Sequence, residues 1–360
     1  MRVSGIRLAA RNAVAAVLAA IGCFTPLAAN PLPISEFWQP SIDAQLPPFD
    51  GCMTSLSHKP LEGSAPAILP DLVARWTGEF ARLCGREVRV LPPFGPPLAN
   101  RSPQLRNFME GKRDFAFLTR DISQADLDSY RRFHGRDPLA IPVAGGSYRH
   151  FGYVDTLVVI VNRNNPVERL SLAQLASIFF RSGDTAPRYW SDVGGRTGPH
   201  RVHIIGFAGW KTGQSARASF LRRRLVELGA TAGTWRTGVP ASGIEADVPA
   251  RVAADPDAIG FTGLGHLLPA DKPLAIAPDR SAAAIAPSYS NVALGLYPLA
   301  RTVDLLVSTP DGGKLDPRLC SFARFLLSKP GQTIVRDQEI FLPLRHAQLL
   351  RSRAVLDPYC

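Results

Sequence analysis

No Cys-x-x-Cys pair occurs in these 360 residues, and none of the seven histidines stands at zinc-ligand spacing, so the pattern holds no metal site. A Gly-x-Ser-x-Gly elbow is absent too, which removes one familiar setting of a hydrolase nucleophile. His150 with Asp155, or His203 near Ser215, can be drawn as catalytic pairs, but the sequence gives neither a shared geometry. The chain therefore reads as a non-enzyme without a cofactor. No apolar run reaches the roughly 20 residues of a membrane-spanning helix, and no repeat of solenoid length is visible. Acidic residues are missing from the first 29 positions.

That acid-free start carries Arg2, Arg7 and Arg11, then the apolar stretch Ala13–Phe24, then Leu27-Ala28-Ala29. A basic start, a short apolar middle and a small-residue end predict a signal peptide over 1–29 and a periplasmic protein. Ala20-Ile21-Gly22-Cys23 loosely resembles a lipoprotein box without its leucine, which would anchor the chain at Cys23 instead. With 46% hydrophobic and 20% charged residues the chain has enough apolar material for a sizeable core. The net charge of +11 includes the three leader arginines. Arg222-Arg223-Arg224 reads as a solvated helix face; it has no interleaved aromatics, and no nucleic-acid motif accompanies it.

Cleavage after Ala29 leaves Cys52, Cys84, Cys320 and Cys360, an even count that implies disulfides in an exported chain. Cys52 lies in a proline-rich arm that must run back across the helix ending at Cys84. Cys320 falls in the first turn of a helix capped by Asp316, and Cys360 is the last residue. Pairing Cys52–Cys84 and Cys320–Cys360 would tie an irregular extension to the body twice. The alternative, Cys52–Cys360 with Cys84–Cys320, joins the two extensions to each other.

Residues 30–60, with Pro31, Pro33, Pro40, Pro47, Pro48 and Pro60, form the arm. Leu69, Leu72, Val73, Trp76, Phe80 and Leu83 then recur at helical spacing, with Ser64 as the expected cap and Gly85 just past the end. Strands are predicted at Val88–Leu91, Asp114–Leu118, Asp155–Val161, Arg201–Phe207, Ala258–Thr262, Leu274–Ala277 and Val303–Ser308, with Asp114–Leu118 and Asp155–Val161 read as buried. Helices open at Ser102, Ser171, Ser215 and Asp316. Strands alternating with helices predict an α/β fold with mainly parallel sheets.

Five ordered segments resemble the phosphate-binding proteins of periplasmic ABC importers. Gly111-Lys112-Arg113-Asp114-Phe115-Ala116 with Thr119-Arg120-Asp121-Ile122 resembles a first-lobe strand motif. Asp155–Asn162 with Asn165-Pro166 looks like the strand crossing into a second lobe, and Leu170–Leu175 with Ile178-Phe179 like the helix after it. Asp255–Leu264 resembles the return segment, and Tyr297–Arg301 with Leu342-Pro343-Leu344 the final part of the first lobe. The resemblance implies a two-lobed periplasmic-binding-protein fold with a hinge: lobe I at 60–150 plus 265–346, lobe II at 151–264, and a C-terminal tail at 347–360. It also implies a monomer that holds phosphate or a similar small anion between its lobes and hands it to an ABC permease. A two-lobed scaffold for envelope sensing, without tight phosphate binding, is the other reading.

A desolvated oxyanion needs many hydrogen-bond donors, and helix starts supply them together with a favourable dipole. By resemblance the donors here are Ser64 and Ala65, Ser102, and Thr119 and Arg120, with Lys211, Thr212, Gln214 and Ser215 as compensating donors where the family loop's own are replaced. Ser64, Ser102 and Ser171 also read as helix caps, and Arg120 as the partner of a nearby acid. Gly209–Phe220 aligns with the family loop Gly-Arg-x-x-Gly-Ser-Gly-Thr. Trp210 stands there for the arginine, Gln214 for the serine, Ser215 for the glycine and Ala216 for the threonine. Trp210 reads either as a core residue or as a stacking wall for an organic ligand.

Overall fold

The computed structural model describes residues 39–53, 59–66, 68–91, 103–150, 153–181, 183–195, 197–230, 233–309 and 313–360. The predicted leader, Cys23, Arg101 and Ser102 lie outside the described residues.

Regular structure begins with β1 (Leu61–Ser64), α1 (Pro70–Cys84), β2 (Val88–Leu91), α2 (Pro103–Met109), β3 (Phe115–Leu118), α3 (Gln124–His134) and β4 (Leu139–Gly145). Leu72, Val73, Trp76 and Phe80 give α1 one buried face. Its first turn holds a proline, which needs no N–H there, and Gly85 ends it in the left-handed region at φ 58°. Ser64 does not cap this helix. It ends β1, and the residue before α1 is Leu69, whose side chain makes no cap. Of the expected apolar face Leu69, Leu72, Val73, Trp76 and Phe80 are buried while Leu83 is 40% exposed, and the helix starts only at Pro70, well past the serine.

The chain then forms β5 (Leu157–Asn162), β6 (Arg169–Ser171), α4 (Leu172–Phe180), β7 (His203–Ile204), α5 (Ala216–Glu227), α6 (Val248–Ala253), β8 (Ala258–Gly263), β9 (Asp271–Pro273), β10 (Ala275–Ala277) and α7 (Tyr289–Ala293). Ser171 caps α4 and Ser215 caps α5, each accepting a bond from the backbone three residues on. Last come β11 (Thr302–Val307), α8 (Pro317–Leu326), α9 (Lys329–Arg336) and α10 (His346–Leu356).

Two sheets organise these elements. One runs β2-β1-β3-β11-β4 and the other β7-β8-β5-β9, while β6 pairs β10 separately. Pairing is parallel in β2-β1-β3, β7-β8 and β6-β10. It turns antiparallel at β11 and β5, the strands next to the crossovers. Each sheet has its own core: Trp76, Phe80, Phe115, Phe117 and Phe322 in one, Phe179, Trp190, Phe207, Trp210 and Phe261 in the other.

The return crossing falls later than residue 265. β9 and β10 pair with β5 and β6, and Tyr289, Val292, Tyr297 and Leu299 pack in the same core as β5. The chain comes back at Arg301, where Gly146 N–H donates to the Arg301 carbonyl at 2.7 Å and joins the two crossovers. Residues 347–360 are not a loose tail either. Most of them form α10, whose Leu349 and Leu356 are buried in the core of the β1 sheet.

Cys52 is bonded to Cys84 and Cys320 to Cys360, the pairing the arm and the terminus suggest. The described part of the arm is irregular but fastened. Lys329 N–H donates to the Pro47 carbonyl at 2.7 Å, and the Phe49 ring packs on Phe325 at 5.6 Å. Among the described residues no helix is long and apolar enough to cross a membrane.

Candidate functional site

β1 and β3 run parallel, with Ser64 beside Ala116, so Ser64-Ala65 and Thr119-Arg120 leave the same edge of the sheet. The carboxyl ends of parallel strands are where α/β proteins hold ligands. Ser64 is 3% exposed and its hydroxyl has no hydrogen-bond partner. A buried hydroxyl without a partner costs stability, so this position is not explained by folding alone.

The edge faces the start of α5. Ala125 N–H donates to the Gly213 carbonyl at 3.2 Å, and Gln124 N–H to the Ser219 hydroxyl at 3.3 Å. Arg223 donates to the Ile122 carbonyl at 2.6 Å. Gly213 adopts φ 75°, and a Cβ there would stand 2.8 Å from the Gln124 Cβ, so the approach needs glycine. Arg222-Arg223-Arg224 is thus not a uniform solvated face. Only Arg222 is exposed, while Arg224 donates to the Pro298 carbonyl at 2.8 Å.

The named donors divide. Ser215 is the α5 cap and lies at the junction. Arg120 makes two bonds to Asp126, at 2.6 and 3.0 Å, and takes the role of partner to a nearby acid. Burial works to raise the Asp126 carboxyl, but Arg120 and Ser123 outweigh it and hold it below the usual carboxylate range. Lys211 donates to the Val239 carbonyl at 2.8 Å and lies over the Trp210 ring. Thr212 donates to the Gly209 carbonyl at 3.3 Å, and Gln214 is exposed. Trp210 is a core residue, fully buried against Trp235, Phe207 and Phe261. The drawn catalytic pairs do not form: His203 pairs with Asp255 at 2.8 Å, and Asp155 is taken up by arginines.

Those arginines are the part the motifs did not single out. Asp155, at the end of the outgoing crossover, is 1% exposed. It accepts from Arg217 at 3.2 Å and from Gly265 N–H at 3.0 Å. Its carbonyl accepts from Arg301 at 3.1 Å, and Arg301 also donates to Asp121 at 2.7 Å. Gly263 makes room for the carboxylate, since a Cβ there would meet it at 2.0 Å. Arg217 further donates to Glu245, which also accepts from the Ser215 hydroxyl at 3.3 Å. Burial disfavours the Arg217 charge, but Glu245 and Asp155 outweigh it and bind its proton more firmly than usual. Burial and then the Arg217 charge hold His266 below the ordinary histidine range. Val154, just before Asp155, has φ 54° although it is β-branched and 2% exposed, so the crossover carries real backbone strain. Four of the missed residues had a signal: Asp121, Asp155 and Arg301 stand inside quoted motifs, and Arg217 two places after Ser215. Glu245 had none.

Two α/β lobes on paired crossovers, with polar groups converging at the junction, define a two-lobed binding protein. Residues 102–330 match the PBP superfamily domain, and the chain belongs to that superfamily, as a divergent relative of its phosphate-binding members. The phosphate-binding protein PstS of Pseudomonas aeruginosa is 26% identical over 285 residues, which cover 78% of this chain and 82% of that protein. Protein SphX of Synechococcus elongatus is 28% identical over 246 residues, covering 66% and 65%. The crystal structure of an ABC-type phosphate transport receptor from Vibrio cholerae aligns with a TM-score of 0.44 at 16% identity, over 78% of this chain and 99% of that one.

Proposed function

We propose that this chain is a periplasmic solute-binding protein. In this reading it holds phosphate or a related small oxyanion between its lobes, without catalysis, and delivers it as a monomer to the permease of an ABC importer. The carrying observation is the meeting of the β1–β3 edge, with Ser64, Ala65, Thr119 and Arg120, and the α5 start, with Ser215, through direct bonds between residues 122–125 and 213–223. The names of the relatives, a phosphate-binding protein among them, support the ligand class. Lobe I then comprises residues 60–150 and about 301–360, lobe II about 151–300, and ligand-driven closure turns on the crossovers near Val154 and Arg301. Calorimetry of the mature protein against phosphate, sulfate and organic phosphates tests it. Saturable heat with one of them is expected, and no heat at millimolar ligand with any would overturn it.

A second reading, a scaffold without tight anion binding, is favoured by one observation. Trp210 is sealed in the core, so the family's arginine position contributes nothing to the junction. A null calorimetric result, together with a bound envelope protein other than a permease, is its signature.

A further inference from the structure

We propose that Arg217 is the ligand-holding cation at the α5 end, and that Glu245 is a tethered anion that occupies it until a free oxyanion displaces it. This rests on the binding reading above.

The position of Arg217 carries the first half. It lies in the first turn of α5, next to the Ser215 cap, and shares Asp155 with Arg301, so it sits where the second lobe meets the crossovers. Its terminal nitrogens are engaged by Glu245, Asp155 and His266, yet its Nε is buried with no acceptor. An arginine presents five N–H donors in a fixed fork, suited to oxyanions with several acceptor oxygens. The two oxygens of Glu245 are spread between the Ser215 hydroxyl and one terminal nitrogen, and they leave that Nε unused. A tetrahedral oxyanion has the additional acceptors to satisfy it. On the opposite edge the buried Ser64 hydroxyl is likewise without a partner.

Glu245 itself carries the second half. A helix start favours negative charge, and here the chain supplies that charge from the separate segment before α6. A tethered carboxylate competes with free ligand at its effective concentration. If it is seated 90–99% of the time, the apparent affinity for free anion falls roughly ten- to hundredfold. Displacement requires no bond chemistry, only exchange of one anion for another.

The test is calorimetric titration of inorganic phosphate into the whole mature protein, at fixed pH and salt, for the parent, Glu245→Gln and Glu227→Gln. Glu227 is an exposed acid on the same helix, so its variant measures the general effect of one lost charge. Circular dichroism confirms that each variant is folded. The expected result is a ten- to hundredfold tighter Glu245→Gln, no comparable gain in Glu227→Gln, and loss of the gain when Arg217→Lys is added. Equal or weaker binding by Glu245→Gln, or the same gain in both variants, overturns the tethered anion and leaves the binding reading standing. Binding by Glu245→Gln alone supports the occupant while counting against carriage by the natural chain. No binding by any variant overturns both.

Discussion

Arg301 donates to Asp121 at 2.7 Å with both side chains almost out of water, at 3% and 7% exposure. The pair links the loop after β3 to the return crossover, and the same guanidinium reaches the Asp155 carbonyl on the outgoing one. One charge therefore ties three segments together. Removing one member of such a pair leaves the other charge buried alone, which costs about 3–5 kcal/mol. Asp121→Asn and Arg301→Ala are each expected to lose about that much in urea unfolding, and Asp121→Asn/Arg301→Met markedly less than their sum.

The Ser64 hydroxyl separates folding from binding. Because it has no partner inside the protein, Ser64→Ala is expected to leave the urea midpoint unchanged or slightly higher. A helix cap would instead lose about 1 kcal/mol. In the same variant, phosphate affinity is expected to fall about tenfold or more, as for a lost bond to a charged ligand. Calorimetry beside urea unfolding reads both.

Two carboxyls set a pH dependence, one in each sheet. Burial raises Asp304 to about 7, against a bond from Thr302, and burial raises Asp271 to about 6. Both values lie above the unfolded one, so the folded state holds these protons more tightly. Their stabilising contribution is full below about pH 4, declines as pH rises, and is gone above about pH 7, with a slope of at most about 1.4 kcal/mol per unit for each group. Asp304→Asn is expected to raise the melting temperature at pH 8 and to flatten the curve between pH 4 and 7. An unchanged curve would show that Asp304 titrates normally.

Trp210 answers the question its place in the loop raises. Trp210→Ala is expected to cost about 3–5 kcal/mol through a cavity in the core. Trp210→Arg, which restores the family residue, is expected to destabilise further and not to improve phosphate binding. Tighter binding by a folded Trp210→Arg would contradict the core placement.

Much of this was legible in the sequence, for stated reasons. A buried strand such as Leu157–Asn162 is an almost continuous apolar run, and a serine before an apolar period marks the caps at Ser171 and Ser215. The Arg201–Phe207 strand shrank to His203–Ile204 because Val202 and Gly206 bond to other segments. Ser64 misled because the serine that ends a buried strand looks like the serine that starts a helix. The return crossing was placed early because β9 and β10 add to the second half only through long-range pairing. The charged junction stayed hidden for the same reason: Asp155, Arg217, Glu245 and Arg301 are distant in sequence, and local pattern does not register contacts across 28 to 146 positions.

The two disulfides staple only the half of the molecule built on the five-stranded sheet, and the described residues of the other half contain no cysteine. Closing chain separations of 32 and 40 residues is worth roughly 3–4 kcal/mol each in the chain-entropy picture. Oxidation is therefore a lopsided gift: it makes one half the sturdy chassis and leaves the other's stability indifferent to the redox state of its surroundings. Reduction of the two bonds weakens that half first and leaves the other as it was.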